Sequence, residues 1–84
     1  MVRLIKYLPS AGKKLNILSQ NAHKRIIKAI SKLKDNPRPS GCKKLKSRDA
    51  YRIRVGDYRI IYEIRDNMLV VLVIRIAHRH EAYK

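Results

Sequence analysis

Residues 51–76, YRIRVGDYRIIYEIRDNMLVVLVIRI, leave this chain little choice of architecture. Tyr51, Ile53 and Val55 alternate with Arg52 and Arg54; Tyr58, Ile60, Tyr62 and Ile64 alternate with Arg59, Ile61 and Glu63. A period of two marks strands that bury one face. Gly56-Asp57 has the composition of a two-residue hairpin turn, and Asp66-Asn67 of a second turn. Met68 to Ile76 is almost wholly apolar, as suits a central strand covered on both faces. From Ala50 onward the pattern predicts successive antiparallel strands.

The first half reads differently. Residues 2–8 (VRLIKYL) have strand-like composition and suit an edge strand. Pro9-Ser10 ends it, with Ser10 placed to cap a short helix in which Ala11, Leu15 and Leu18 recur at helical spacing. Ser19-Gln20-Asn21 breaks that helix and offers a second cap. Ala22, Ile26, Ile27, Ile30 and Leu33 then form one apolar stripe, with His23, Lys24, Lys28, Lys32 and Lys34 on the remaining surface. Asp35-Asn36-Pro37 stops it, because proline lacks an amide hydrogen and drives the preceding residue out of helix. NPRPSGC is a loop, and KKLK at 43–46 is a short strand or an extended basic arm. The predicted fold is α+β, a single domain over residues 1–84. An N-terminal strand and a helical hairpin pack on one face of a twisted antiparallel sheet.

Side chains alternate across a strand, so the two turns assign the faces. With two residues in each turn, Tyr51, Ile53, Val55, Tyr58, Ile60, Tyr62, Leu69, Val71 and Val73 share the side the helices cover. The other side carries Arg52, Arg54, Arg59, Ile61, Leu72, Ile74 and Ile76, and continued alternation brings His78 there too. Arg54 stands directly opposite Arg59, an arrangement that costs roughly 0.2–1 kcal/mol. Glu63, diagonal to Arg52, is the one acid on that face. A phosphate between Arg54 and Arg59 would turn the repulsion into two charge-assisted clamps. Lys43, Lys44, Lys46, Arg48, Arg79 and His80 add to the basic surroundings. The alternative is an ordinary solvated sheet face with screened charges.

Composition narrows the partners. Twenty-one Lys and Arg against six acids give a net charge of +15, which favours a polyanion. The seven-residue apolar run Met68 to Ile74 is far short of the roughly 20 residues of a spanning helix, so no membrane partner is expected. The single cysteine, Cys42, allows no internal disulfide and suits a reducing cytoplasm. His78 and His80 stand without CxxC or HExxH, so neither a metal nor another cofactor is expected.

The strand, the helical hairpin, NPRPSGCKKLK, YRIRVGDYRIIYEI and the terminal IAHRHEAY together resemble the RelE/ParE toxin superfamily along nearly the whole chain. The pairing of the YRIRVGDYRIIYEI block with HRxEAY is the specific part. That resemblance implies a type II toxin held inactive by an antitoxin, here an acidic one. Its RelE-like branch implies cleavage of mRNA on the ribosome without a metal, the ribose 2′-OH attacking the adjacent phosphate. By similarity, Arg59 and Arg79 would stabilise the phosphate and Tyr83 would orient the substrate base. Arg52 and Arg54 fall where relatives carry backbone-binding basic residues, with Lys43, Lys44 and Lys46 beside them. Some members have lysine in the first strand of the block, whereas arginine stays protonated and is a poor general base. His78 is then the candidate acid or base, because histidine titrates near neutrality, with Glu63 the alternative.

Two other functions fit parts of the pattern. A ParE-like poison of DNA gyrase would use the same fold to bind protein, although HRHEAY argues for the RNA-cleaving branch. A non-catalytic nucleic-acid-binding module would need only the charge.

Overall fold

The computed structural model describes residues 3–46 and 48–78. Its elements are β1 (Leu4–Tyr7), α1 (Pro9–Asn16), α2 (Gln20–Lys32), β2 (Lys43–Lys44), β3 (Tyr51–Val55), β4 (Tyr58–Arg65), a 3-10 turn (Asp66–Met68) and β5 (Val70–His78). Both helices cover the same face of a five-stranded sheet ordered β1-β5-β4-β3-β2. The sheet is mixed: β2 to β5 pair antiparallel, as expected, but β1 runs parallel to β5. No tight turn joins β1 to its neighbour, so nothing local in the sequence specified its direction. β1 gives the apolar β5 its second neighbour and sets Ile5 and Tyr7 beside Val71 and Val73.

Helix α1 starts differently from expectation. Pro9 occupies its first turn, where a missing amide hydrogen costs nothing, and Leu8 is the extended cap residue with no side-chain bond. Ser10 therefore lies inside the helix and caps nothing. Ser19 does cap α2, its Oγ accepting from the Ala22 amide at 3.3 Å. The α2 stripe buries Ile26, Ile30 and Leu33 against Ile53, Ile60, Tyr62, Val71, Val73 and Ile76, with Ala11 and Leu15 from α1. Each such aliphatic side chain contributes about 1.5–3 kcal/mol on leaving water. The loop after α2 is held by two tyrosines: the buried Tyr62 hydroxyl donates to the Pro37 carbonyl at 2.7 Å, and Arg38 donates to the Tyr51 hydroxyl at 3.2 Å.

The β3–β4 turn is the two-residue turn that was expected. Gly56 takes φ 58° and Asp57 does not follow it into positive φ, the pattern of a II′ turn whose twist matches the strands. The β4–β5 connection is longer than expected. Asp66 to Leu69 form a four-residue link, with Leu69 in left-handed conformation at φ 53°. Arg65 consequently pairs with Val70, so Leu69 leaves the sheet and its expected covered position. A shift of two residues preserves the alternation, and Val71 and Val73 still face the helices.

A bulge then reverses it. Tyr62 pairs with Val73 but Ile61 pairs with Arg75, so Ile74 has no partner across β4. Beyond that point every side chain of β5 changes sides. Ile76, expected among the arginines, pairs with Ile60 and is 3% exposed in the core. His78 pairs with Tyr58 and likewise lies on the helix side, against the expectation that it joins the arginines.

Candidate nucleic-acid interface

The uncovered face is built from short, cross-paired strands, and its geometry follows from the Gly56-Asp57 turn. Val55 and Tyr58 close that turn, so Arg54 and Arg59 form the next, non-hydrogen-bonded pair. Such pairs bring the Cα atoms to about 4.5 Å, the closer of the two antiparallel spacings. Arg54 is exposed and Arg59 half-buried. One step along, Arg52 stands opposite Ile61, and Lys43 of β2 opposite Arg52. Lys43, Arg52 and Arg54 line a cleft of about 440 Å³ with Ser40 and Gly41.

Three of the expected basic residues therefore share this face with Lys43, namely Arg52, Arg54 and Arg59. Lys44 does not. It pairs with Tyr51, whose side chain faces the helices, and its ammonium lies 3.6 Å from Asp49. Lys46 is exposed in the loop that follows β2. Arg79, His80 and Tyr83 lie outside the described residues. Arg75, which alternation alone would send toward the helices, is exposed on the open side as a result of the bulge. Its signal in the sequence was a lone charge within an apolar strand.

Glu63 is occupied. Its carboxylate accepts from Arg65 Nε at 3.1 Å and from Arg48 at 3.0 Å. The Arg65 hydrogen bonds, then those of Arg48, hold its pKa below the ordinary carboxylate range. That makes it a weak proton acceptor and a clamp for the loop bearing Arg48. His78 packs edge-on against the Tyr58 ring, centroids 5.2 Å apart, on the opposite side of the sheet from Arg54 and Arg59. The three tyrosines assigned to packing behave so: Tyr62 is fully buried, while Tyr51 stacks on it at 6.1 Å and lies beneath the Arg38 guanidinium at 5.3 Å.

Chemically, apart from Glu63 in its ion pairs with Arg48 and Arg65, the charged groups described on the open face are fixed cations. Arginines so placed bind and polarise phosphate oxygens; they do not move protons.

Comparison with known proteins gives this surface a context. Residues 2–83 match the family described as ParE toxin of the type II toxin-antitoxin system parDE. The chain belongs to the RelE/ParE toxin superfamily. A Methanocaldococcus jannaschii protein with a provisional RelE1 toxin designation is 33% identical over 76 residues, covering 86% of this chain and 84% of that protein. Among solved structures, the archaeal RelE–RelB complex from Pyrococcus horikoshii superimposes with TM-score 0.84 at 27% identity, covering 94% of this chain and 97% of that one. The intact Escherichia coli RelBE toxin–antitoxin complex shares the fold, with TM-score 0.81 at 24% identity, over 90% of this chain and 95% of that one. Like these RelE-type structures, the chain sets a helical hairpin on a five-stranded mixed sheet.

Proposed function

We propose that this toxin is a ribosome-dependent mRNA endoribonuclease that cleaves without a metal. The observation that carries the reading is that Arg52, Arg54 and Arg59 share the sheet face away from the helices, with Arg54 directly opposite Arg59 in the register. In this reaction the ribose 2′ oxygen attacks the adjacent phosphorus in line while the bond to the 5′ oxygen breaks. The products are a 2′,3′-cyclic phosphate and a 5′ hydroxyl. Charge grows on the non-bridging oxygens, and preorganised cations there lower the barrier, removal of one such donor typically costing 10²–10³ in rate. In this reading Arg59 takes that role, and Arg52, Arg54 and Lys43 hold the neighbouring backbone. Arg79 and Tyr83 join the site by sequence similarity. With Glu63 held ionised and His78 behind the sheet, the proton transfers fall to groups outside the described face.

An acidic antitoxin is the proposed stable partner. RelE–RelB complexes among the structural relatives and the charge of +15 both favour it. Primer extension on a translated mRNA after induction tests the enzymatic reading. Codon-level cuts should appear with the wild-type chain and vanish with Arg59→Ala and with Arg79→Ala, while both variants still co-purify with antitoxin. Retained cutting by both would remove the assignment. The ParE description of the matching family favours one second reading, a DNA gyrase poison. Inhibition of supercoiling by the purified chain, with mRNA left intact in cells, would establish that instead.

A further inference from the structure

The bulge at Ile74 does two things at once. It lets Ile76 fill the core opposite Ile60, and it turns Arg75 out beside Ile61. With regular alternation the guanidinium would enter a layer made of Ile53, Ile60, Tyr62 and Val73, where an unpaired charge costs several kcal/mol. The irregularity therefore places a further arginine on the open face, on a strand where the sequence pattern promised none. Arg75 makes no ion pair with a described residue and is exposed.

The register arranges these cations in a line. Lys43, Arg52, Ile61 and Arg75 are mutual cross-strand neighbours, forming one row over β2, β3, β4 and β5. Arg54, Arg59 and Ala77 form the row beside it. At about 4.8 Å between strands, Lys43 and Arg75 stand roughly 14 Å apart at the Cα level. Half-buried Ile61 lies between the charges of the first row, and Ala77, at the end of the second, is buried. The cleft along Lys43, Arg52 and Arg54 marks one end of the line, and Arg75 the other.

We infer that single-stranded RNA lies across the sheet, perpendicular to the strands, and that Arg75 binds a backbone phosphate at the β5 end of this path. The inference rests on the endoribonuclease reading and adds the direction of the substrate strand and a binding residue. Arginine suits the position because its planar fork engages two phosphate oxygens at once.

The test is equilibrium binding of a fluorescent 12-nucleotide single-stranded RNA to the purified full chain between 50 and 300 mM salt. Every ribose carries a 2′-O-methyl group, which removes the nucleophile. Each phosphate neutralised on single-stranded nucleic acid contributes about 0.7 to the slope of log affinity against log salt. Arg75→Ala should flatten the slope by about 0.7 and Arg75→Lys should restore it. Lys28→Ala, on the exposed surface of α2, should leave it within a third of that change. Equal effects of Arg75→Ala and Lys28→Ala, or an unchanged slope in Arg75→Ala, would overturn the path. Arg59→Ala separates the two levels: weakened binding there with Arg75→Ala silent rejects the path and leaves RNA binding by the β3–β4 arginines standing. No RNA binding by the wild-type chain rejects the path, whereas the nuclease reading stands or falls with the primer-extension result.

Discussion

Removing one member of the opposed arginine pair should make this protein more stable. Arg54 and Arg59 face each other in the close, non-hydrogen-bonded register of the β3–β4 hairpin, and Arg54 is exposed. Directly opposed like charges cost roughly 0.2–1 kcal/mol. Arg54→Gln keeps a long polar side chain and removes that repulsion, so stability should rise by the same amount. For a domain of this size, 1 kcal/mol moves Tm by about 4–8 °C, so the expected gain is about 1–8 °C. Any lost cation also relieves the general field of a chain carrying +15. Lys28→Gln, on exposed α2 surface with no cross-strand neighbour, measures that background. The excess of Arg54→Gln over Lys28→Gln is the pair's own repulsion. Urea denaturation at 20 mM and at 1 M salt reads it. At 1 M the screening length is about 3 Å, and the excess should vanish. Destabilisation by Arg54→Gln at low salt, or an excess that persists at 1 M, would refute the idea that the face stores repulsion that a bound phosphate relieves.

Other perturbations test the scaffold. Tyr62→Phe leaves the buried Pro37 carbonyl without its donor and should cost about 1–3 kcal/mol in urea denaturation. Gly56→Ala forces an L side chain to positive φ and sets its Cβ 2.9 Å from the Arg25 guanidinium, so a loss of about 1–2 kcal/mol is expected. Glu63 has a folded pKa below its unfolded value of about 4.3. Its stabilisation is thus complete above that value and lost as pH falls through the folded pKa. Glu63→Gln should be less stable than wild type at pH 7 and show a shallower decline below about pH 4, measured by urea midpoint against pH.

Much of the fold was legible because local chemistry and tertiary demand agree in most elements. Gly56-Asp57 specified its turn, the turn specified the register of β3 on β4, and the register put Arg52, Arg54 and Arg59 together. The α2 stripe likewise named the residues that pack. The failures have physical causes. Met68 and Leu69 look like strand residues, yet the connection spends them on a turn and leaves Met68 60% exposed. Nothing in VVLVI favours one side for Ile74 over the other, since residues 70–74 are all apolar. Only the cost of burying Arg75 argued for a bulge, and that cost becomes visible once the covered face is known. His78 followed from the uninterrupted alternation and was lost with it, whereas Arg75 was gained by the same single residue. Lys44 fell to the opposite side of β2 because adjacent residues of a strand cannot share a face.

A nuclear magnetic resonance titration of the full chain with 2′-O-methylated single-stranded RNA tests most directly which surface holds the substrate. Arginine Nε–Hε and backbone amide signals should move at Arg52, Arg54, Arg59 and Arg75, with Lys24, Lys28 and Lys32 of α2 unaffected. Shifts concentrated on α2, with the β3–β4 arginines still, would place the nucleic acid on the helical side and contradict the sheet-face site.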